Sequence, residues 1–443
     1  MKTLPLSIAL AFCSCSHYNP LERSLDSAGP NRGQLESVLE HYKDQPEKLE
    51  AARFLIANMP GHYSYQGNGI KTYYDYAWKI ISDTTLTPES QRDSLLCISD
   101  SLFSDLPLRT VPDAEIISTD YLIDDIDRSY RQWKECLWCD QVRFDEWLEW
   151  MLPYKAVELQ SLDSWRDSMQ TRFCYGLDNP VRNDVEYGTT NGVSDLLRRQ
   201  TLETIRRYGL YDRSGLPLLS DRLLSHMTFG NIPDYALLAT LVMRSAGIPA
   251  VMDETPVGPR FTAATRWFVI LDDRGMEQPS EWDLSTQSGW GFFPYERGPK
   301  VFRLTYAIDR HRQEYQDEAR FHYPFELCRK DVTDRYFLTS DISVTIDRDT
   351  LGMLKDKYVY IESGITGSSS PWQIVDFGTI SNGKARFEKM GREVLYRVLG
   401  YDGNSLIPIC RPFILEKDGN MVFVCEDSIM SPSLEIFKNQ AIR

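Results

Sequence analysis

The middle of the sequence has few of the side chains that act as nucleophiles or bases. Between residues 175 and 310 there is no cysteine and one histidine, His226. Ser225 or Thr228 could act as a nucleophile with His226 as its base, the pairing that activates a hydroxyl group for acyl transfer. Adjacent positions rarely converge on one reacting atom, so a structural histidine is the favoured interpretation. A residual hydrolase with a displaced Ser/Thr and His site remains an alternative.

The cysteines do not form a recognisable framework. Two of the nine lie in the first fifteen residues, and seven are scattered: Cys97, Cys136, Cys139, Cys174, Cys328, Cys410 and Cys425. The spacing of Cys136 and Cys139 suits a redox pair or half a zinc site, but no second such pair or His pair accompanies it. Buried thiols, or an adventitious bridge, are the favoured interpretation. The sequence predicts neither a metal nor a cofactor, since phosphate-binding, zinc-protease and calcium-loop motifs are missing.

Aromatic residues mark a candidate ligand surface later in the chain. A segment punctuated by Gly and Pro, residues 290–298, follows the helix and strand unit described next. Its rings could stack on sugar faces or hold peptide side chains, although packing between domains is the commoner use of such rings. Five residues are the possible ligand contacts: Trp282, Trp290, Phe292, Phe293 and Tyr295.

Residues 230–271 predict a helix followed by antiparallel strands. Pro233 suits the first turn of a helix, and Gly247 with Pro249 beyond it ends that helix. The apolar run from Arg266 to Leu271 predicts a strand, which the polar residues 272–275 would turn. This order is typical of an α+β domain.

This unit resembles the transglutaminase-like, papain-type superfamily. The resemblance rests on the helix start at residues 230–236, the helix end Arg244 to Pro249, and the strand with Trp267. Three other segments are similar to a subset of exported bacterial lipoproteins in that superfamily, so the resemblance covers nearly the whole chain. They are Asn58 to Ser64, Leu152 to Lys155 with Trp165 and Arg166, and Lys330 to Thr333.

The resemblance implies an active site that has lost its chemistry. Members carry a cysteine at the helix start, where the helix dipole and a histidine favour the thiolate. Here Ile232 stands at the cysteine position and Thr265 at the histidine position, while Asp283 stands where the orienting acid would fall. An aliphatic side chain cannot attack a carbonyl, and a threonine hydroxyl is no base near neutral pH. We expect a pseudo-enzyme in which these three residues are neighbours.

The elements around this unit predict three domains. Residues 34–182 read as a helical scaffold and residues 183–330 as the transglutaminase-like α+β core. Residues 331–443 carry short β-prone runs between turns rich in Gly, Asn and Asp, which predict a β-sandwich.

The first residues predict export and lipid attachment. Residues 1–14 have a basic start and a short apolar core, the pattern of a signal peptide. Ser14 is the small residue that a lipoprotein signal needs before Cys15, whereas Phe12 disfavours Cys13. We therefore expect Cys15 to carry fatty chains, including palmitate, with residues 15–33 as a tether at the outer membrane. An ordinary secretory signal, or simply an apolar N-terminus, remains the alternative.

Charge limits the classes of partner. The formal net charge is −15, and such a surface repels nucleic acid and anionic lipid. The favoured function is a non-catalytic binding lipoprotein for a peptide or glycan at the bacterial envelope. A structural or assembly partner of envelope proteins is the alternative from a different class.

Overall fold

The computed structural model describes residues 19–177, 189–204, 211, 213, 215–257, 264–280, 297–364 and 372–424. Helices and antiparallel sheets are both prominent in these ranges, so the predicted α+β class is confirmed at that level. None of the helices described there is long and apolar enough to cross a bilayer.

The first part of the described chain is mainly helical. Its helices are α1 Pro20–Ser27, α2 Arg32–His41, α3 Pro46–Asn58, α4 Asn68–Ser82, α5 Pro88–Asp105, α6 Thr119–Glu135, α7 Phe144–Trp150, α8 Trp165–Phe173 and α9 Thr190–Thr204. A ribbon of two antiparallel strands, β1 Tyr63–Gln66 and β2 Arg109–Pro112, lies among them. Side-chain caps start several helices: Asn19 caps α1, Thr87 caps α5 and Ser118 caps α6.

The predicted tether is wrong for residues 20–33. Asn19 and Pro20 form a strong helix start, and α1 follows directly. Leu25 and Ala28 are buried against the other N-terminal helices, so this segment belongs to the folded body. Residues 20–33 are polar on average, but Leu21, Leu25 and Ala28 have the spacing of one apolar helix face.

The central part is a buried helix on a five-stranded antiparallel sheet. The helices are α10 Asp221–Leu224, α11 Ile232–Ser245 and α12 Arg310–Glu318. The strands are β3 Ala250–Thr255, β4 Thr265–Leu271, β5 Glu277–Ser280, β6 Phe302–Leu304 and β7 Arg329–Asp331, in the order β5-β4-β3-β6-β7. The predicted helix end at Gly247 is confirmed, since its φ of 84° suits a residue without a side chain.

The two faces of this sheet contact different partners. Phe268 and Ile270 of β4 pack in the same core as α11. Trp267 and Val269, which alternate with them, pack against the N-terminal helices. The central sheet therefore has α11, with α4, α5, α8 and α9, on one face and α1, α2, α3, α6 and α7 on the other.

The last part of the described chain is a curled antiparallel sheet with one short helix, α13 Arg348–Met353. Its strands are β8 Thr339–Thr345, β9 Tyr358–Gly364, β10 Trp372–Ser381, β11 Lys384–Gly391, β12 Val394–Tyr401, β13 Leu406–Pro408, β14 Phe413–Leu415 and β15 Met421–Phe423. The order is β15-β14-β12-β9-β10-β11-β8, with β13 paired to β12.

The described strands therefore form one sheet and not the predicted β-sandwich. The hydrogen bonds run through one sheet, whose inner face holds Val359, Phe387 and Phe413 in a single apolar core. Irregular pairing at Ile374/Asp376 and at Phe387/Met390 lets the strands bend. Alternating apolar residues predict an inner face, but they do not distinguish one curled sheet from two facing ones.

Candidate functional site

The fold brings the start of α11 level with the start of β4. A helix of this length spans about 21 Å, and β3, which returns beside it after a short turn, spans about 20 Å. Thr255 at the end of β3 pairs with Thr265 at the start of β4. Ile232 and Thr265 therefore lie at the same end of this unit.

The side chains at that end do not all face the helix. Ile232 is 44% exposed at the first position of α11. By alternation along β4, Thr265 shares the face of Trp267, and Arg266 is on the face of Phe268 that carries α11. Asp283 lies outside the described residues, so the expectation that Ile232, Thr265 and Asp283 are neighbours stays a prediction. Cys15 and the five candidate aromatics also lie outside the described residues: Trp282, Trp290, Phe292, Phe293 and Tyr295.

The first turn of α11 is arranged as a stable helix start. The Asp234 N–H donates to Asn231 Oδ1 at 3.0 Å, and the Asn231 N–H donates to Asp234 Oδ2 at 2.9 Å. Buried Arg213 pairs with the same carboxylate. Pro233 has no N–H, so two of the first three helix positions have no donor to offer an oxyanion.

Ser225 and His226 are in contact, but they lie at the end of helix α10, where both side chains bind the helix backbone. Ser225 Oγ lies 3.0 Å from His226 Nδ1, and both atoms also lie within 3.0 Å of the Arg222 carbonyl oxygen. If Nδ1–H and the hydroxyl both donate to that carbonyl, Nδ1 has no lone pair for Ser225. Thr228 instead donates to Gln91. The structural interpretation of His226 is therefore favoured.

Cys136 and Cys139 cover the other end of α11. Cys139 Sγ donates to the Gly247 carbonyl oxygen at 2.7 Å, and Cys136 Sγ lies 3.7 Å from the Ala246 carbonyl oxygen. Trp138 Nε1 donates to the same Ala246 oxygen at 3.1 Å. These groups satisfy carbonyls that a helix end leaves without partners.

A second cluster that the sequence did not predict lies near this end of α11. His62 precedes β1, Glu158 is in the loop between α7 and α8, and Cys328 precedes β7. His62 Nδ1 lies 2.5 Å from Glu158 Oε1, and His62 Nε2 lies 3.7 Å from Cys328 Sγ. A cysteine, a histidine and a carboxylate in this order are the parts of an activated thiol.

The contacts of His62 favour its doubly protonated form. Nδ1 faces the Glu158 carboxylate, and Nε2 faces the Tyr306 carbonyl oxygen at 2.9 Å. Both partner oxygens accept hydrogen bonds, so each ring nitrogen carries a hydrogen atom and donates one bond. Burial acts to lower the pKa of His62, but Cys328 and Glu158 outweigh it and hold that pKa well above its usual value. Burial likewise opposes the lowered pKa of Glu158, which His62 and Lys155 produce.

Buried arginines fix the loop that carries Glu158. Arg166 donates to the carbonyl oxygens of Met151 and Leu152 at 2.9 and 2.8 Å. Arg244 Nη1 of α11 donates to the Lys155 carbonyl oxygen at 3.2 Å. Leu159, directly after Glu158, has a φ of 64°, a strained value for leucine that the surrounding contacts maintain.

A cavity of about 20 Å³ adjoins the cluster. Its walls include His62, Glu158 and Cys328, together with Lys155, Arg244 and Glu326. This volume holds about one water molecule. In the described part of the chain, no three Cys, His, Asp or Glu side chains are arranged to hold a metal ion.

The sequence contained one signal for this cluster. Two of the segments that carried the resemblance, Asn58 to Ser64 and Leu152 to Lys155, meet here: Lys155 Nζ donates to the Tyr63 carbonyl oxygen at 2.9 Å. Trp165 Nε1 donates to the Tyr154 carbonyl oxygen at 2.7 Å. These segments are therefore partners in one buried network, which their separation in sequence concealed.

Comparison with protein-family models, with curated proteins and with solved structures finds no match to this chain.

Proposed function

We propose that this protein is a lipid-anchored binding protein with a papain-like, transglutaminase-type core, and that it holds a peptide or glycan without turning it over. The exposure of Ile232 carries the proposal. This side chain is 44% exposed, whereas every residue of α11 from Asp234 to Ser245 is buried. An aliphatic side chain at the start of a core helix supplies apolar contact area of the kind that lines ligand sites.

The chemistry of the helix start supports binding over catalysis. Ile232 has no lone pair with which to form an acyl intermediate. The cap by Asn231 and the pair of Asp234 with Arg213 use the polar groups that a reacting carbonyl would need. The order of α11, β3 and β4 agrees with the resemblance. The proposal keeps Cys15 as the lipid-bearing residue, and places the protein at the bacterial outer membrane.

The test uses arrays of immobilised oligosaccharides and of peptides that contain glutamine. The purified chain is applied beside two variants, Ile232→Glu and Val422→Glu. Val422, in β15, is the matched control because it is also 44% exposed. We expect one ligand class to bind the parent and the Val422 variant, and to bind the Ile232 variant at least tenfold more weakly.

Two outcomes would reject this function. One is binding that the Ile232 change leaves unaltered, which would move the ligand site elsewhere. The other is turnover of any array ligand well above the rate in buffer, because a binding protein leaves its ligand intact.

The anchor has its own test. In cells that express the protein and are fed labelled fatty acid, Cys15→Ser should abolish labelling of the protein, because the thiol that accepts the lipid is gone. Cys13→Ser is the control and should label normally. Labelling of the Cys15 variant would move the anchor to another residue.

A further inference from the structure

An open groove of about 660 Å³ lies between α8, α10 and the end of α9. This volume is in the range of sites that hold small-molecule ligands. Its walls carry two arginines, Arg172 and Arg222, one histidine, His226, and hydroxyl groups that include those of Ser168 and Thr171. No residue of α11 lines it, so the groove is a separate site from the helix start described above.

The two arginines carry charges that no described carboxylate neutralises. The guanidinium group of Arg222 lies 3.5 Å from the centre of the Trp78 ring, and within the described ranges it has no hydrogen bond or ion pair. Arg172 donates from Nε to the Ser225 carbonyl oxygen at 2.7 Å, and in the same ranges its two terminal nitrogens bind no other group. Arginine stays protonated in proteins, so both charges are available to an anion.

His226 adjoins both arginines. Its ring meets Trp78 edge-on with the ring centres 5.0 Å apart, and the same indole ring carries Arg222. Nδ1 lies 2.9 Å from the Arg222 carbonyl oxygen, which leaves Nε2 for a ligand. Burial lowers the pKa of His226, and the positive charges of Arg172 and Arg222 lower it further. The imidazole is therefore neutral near pH 7 and can take up a proton when an anion lies beside it.

The carboxylates around the groove do not cancel this charge. Asp167 lines the groove but pairs with Arg128. Asp221, at the start of α10, is not a lining residue, and its side chain contacts Asp163. Burial and Asp163 raise the pKa of Asp221 to about 6. The groove is thus locally positive on a chain whose net charge is −15, and a field of this kind concentrates anions.

We propose that this groove binds the phosphate group of a small phosphorylated ligand. Two guanidinium groups, with an imidazole that can take up a proton, match a group that carries close to two negative charges. Guanidinium forks bind phosphate oxygens in pairs, and the exposed Thr171 hydroxyl adds a donor. A sulfate ester or a carboxylate has one charge and matches this set less well. The inference does not depend on a ligand at Ile232.

The first test is calorimetric titration of the intact chain at pH 7 in chloride buffer. The probes are inorganic phosphate, glucose 6-phosphate, glucose 6-sulfate and glucose. We expect a phosphate probe to bind at least tenfold more tightly than glucose 6-sulfate. Tighter binding of glucose 6-phosphate than of inorganic phosphate would identify an ester as the ligand, and the reverse would identify the free ion. The proposal is overturned if neither phosphate probe binds at millimolar concentration, or if the sulfate ester binds equally well.

A matched pair of variants locates the binding site. Arg411, in the C-terminal sheet region, is exposed like Arg222 and lies 5.9 Å from the centre of the Phe423 ring. Arg222→Gln should weaken phosphate binding at least tenfold, because a charge-assisted contact is lost. Arg411→Gln should leave the affinity unchanged. Equal effects of the two changes would show that phosphate binds elsewhere or only through the overall charge, and would reject the groove.

The pKa of His226 supplies a readout that a merely structural groove would not move. NMR follows the imidazole C–H signals of the parent chain through a pH titration, and His226→Gln identifies the signal that belongs to His226. Saturating phosphate should raise this pKa by at least about 0.5 pH unit, because the anion favours the protonated ring. An unchanged pKa at saturation would contradict phosphate binding beside His226.

Discussion

The two ends of α11 differ in what they expose and what they bury. At its start, the position that the resemblance assigns to a nucleophile is an exposed isoleucine with a capped first turn below it. Near its other end, Arg244, His62, Glu158 and Cys328 enclose a small cavity. At the start of α11, where the resemblance places a nucleophile, the side chain is aliphatic. At the other end, segments distant in sequence bring together an imidazole, a carboxylate and a thiol. Titratable groups thus mark a site only where the fold gives them partners.

The largest expected difference concerns stability. Arg244→Met should lower the free energy of unfolding by about 3 to 5 kcal/mol, because the carbonyl groups of Ala250, Pro153 and Lys155 lose a buried donor. Burial lowers the pKa of Arg244 to about 9, so it stays charged near neutral pH. Urea denaturation measures the change, with the exposed Arg53→Met as control. A loss under 1 kcal/mol would show that this end is not organised by Arg244.

The next effect is a pH dependence that belongs to His62. Because its pKa is raised in the folded state, its stabilisation is complete below the ordinary value near 6.5 and declines as the pH rises toward the raised one. Between those two values, stability should fall by about 1.4 kcal/mol per pH unit. The difference between the parent and His62→Gln in urea denaturation from pH 6 to pH 9 isolates this contribution. A difference that does not vary with pH would contradict a charged His62.

The start of α11 can be tested by restoring a nucleophile. Ile232→Cys should react with iodoacetamide because the position is exposed, and adding Arg266→His should speed the reaction at pH 7 at least tenfold, because strand alternation places residue 266 on the helix side. The matched variant carries Thr265→His, at the position that the resemblance assigns to the base. Strand alternation places Thr265 on the opposite face, so a faster reaction in that variant would support the assignment by resemblance against the alternation.

The smallest expected effect is on the exposed isoleucine itself. Ile232→Ala should change the free energy of unfolding by less than about 0.5 kcal/mol, because few atoms lose packing at an exposed position. Asp234→Ala, two residues later, is the contrasting variant and should cost several times more, since it leaves Arg213 buried without its partner. Equal losses at both positions would mean that Ile232 belongs to the core.

The sequence by itself determined the local features of this protein. Pro233 and Gly247 set the start and the end of α11, and the apolar run at Arg266 to Leu271 gave a strand. These signals suffice because caps, turns and alternation depend on neighbouring residues. The average composition of residues 20–33 does not predict the helix that Asn19 and Pro20 begin. Local patterns do not predict the curled sheet either, because its closure depends on pairing between distant strands.

Only the tertiary structure decided the second cluster. His62 and Glu158 are 96 residues apart, and His62 and Cys328 are 266 apart. The resemblance marks the segment that contains His62 and the segment just before Glu158, but no local pattern indicates that these residues meet. They meet because Arg166 and Arg244 bind the carbonyl groups of the loop before Glu158, and because β7 brings Cys328 against Gly61. The charge of His62 follows from acceptors supplied by Glu158 and Tyr306, a property of the packed chain that no local pattern encodes.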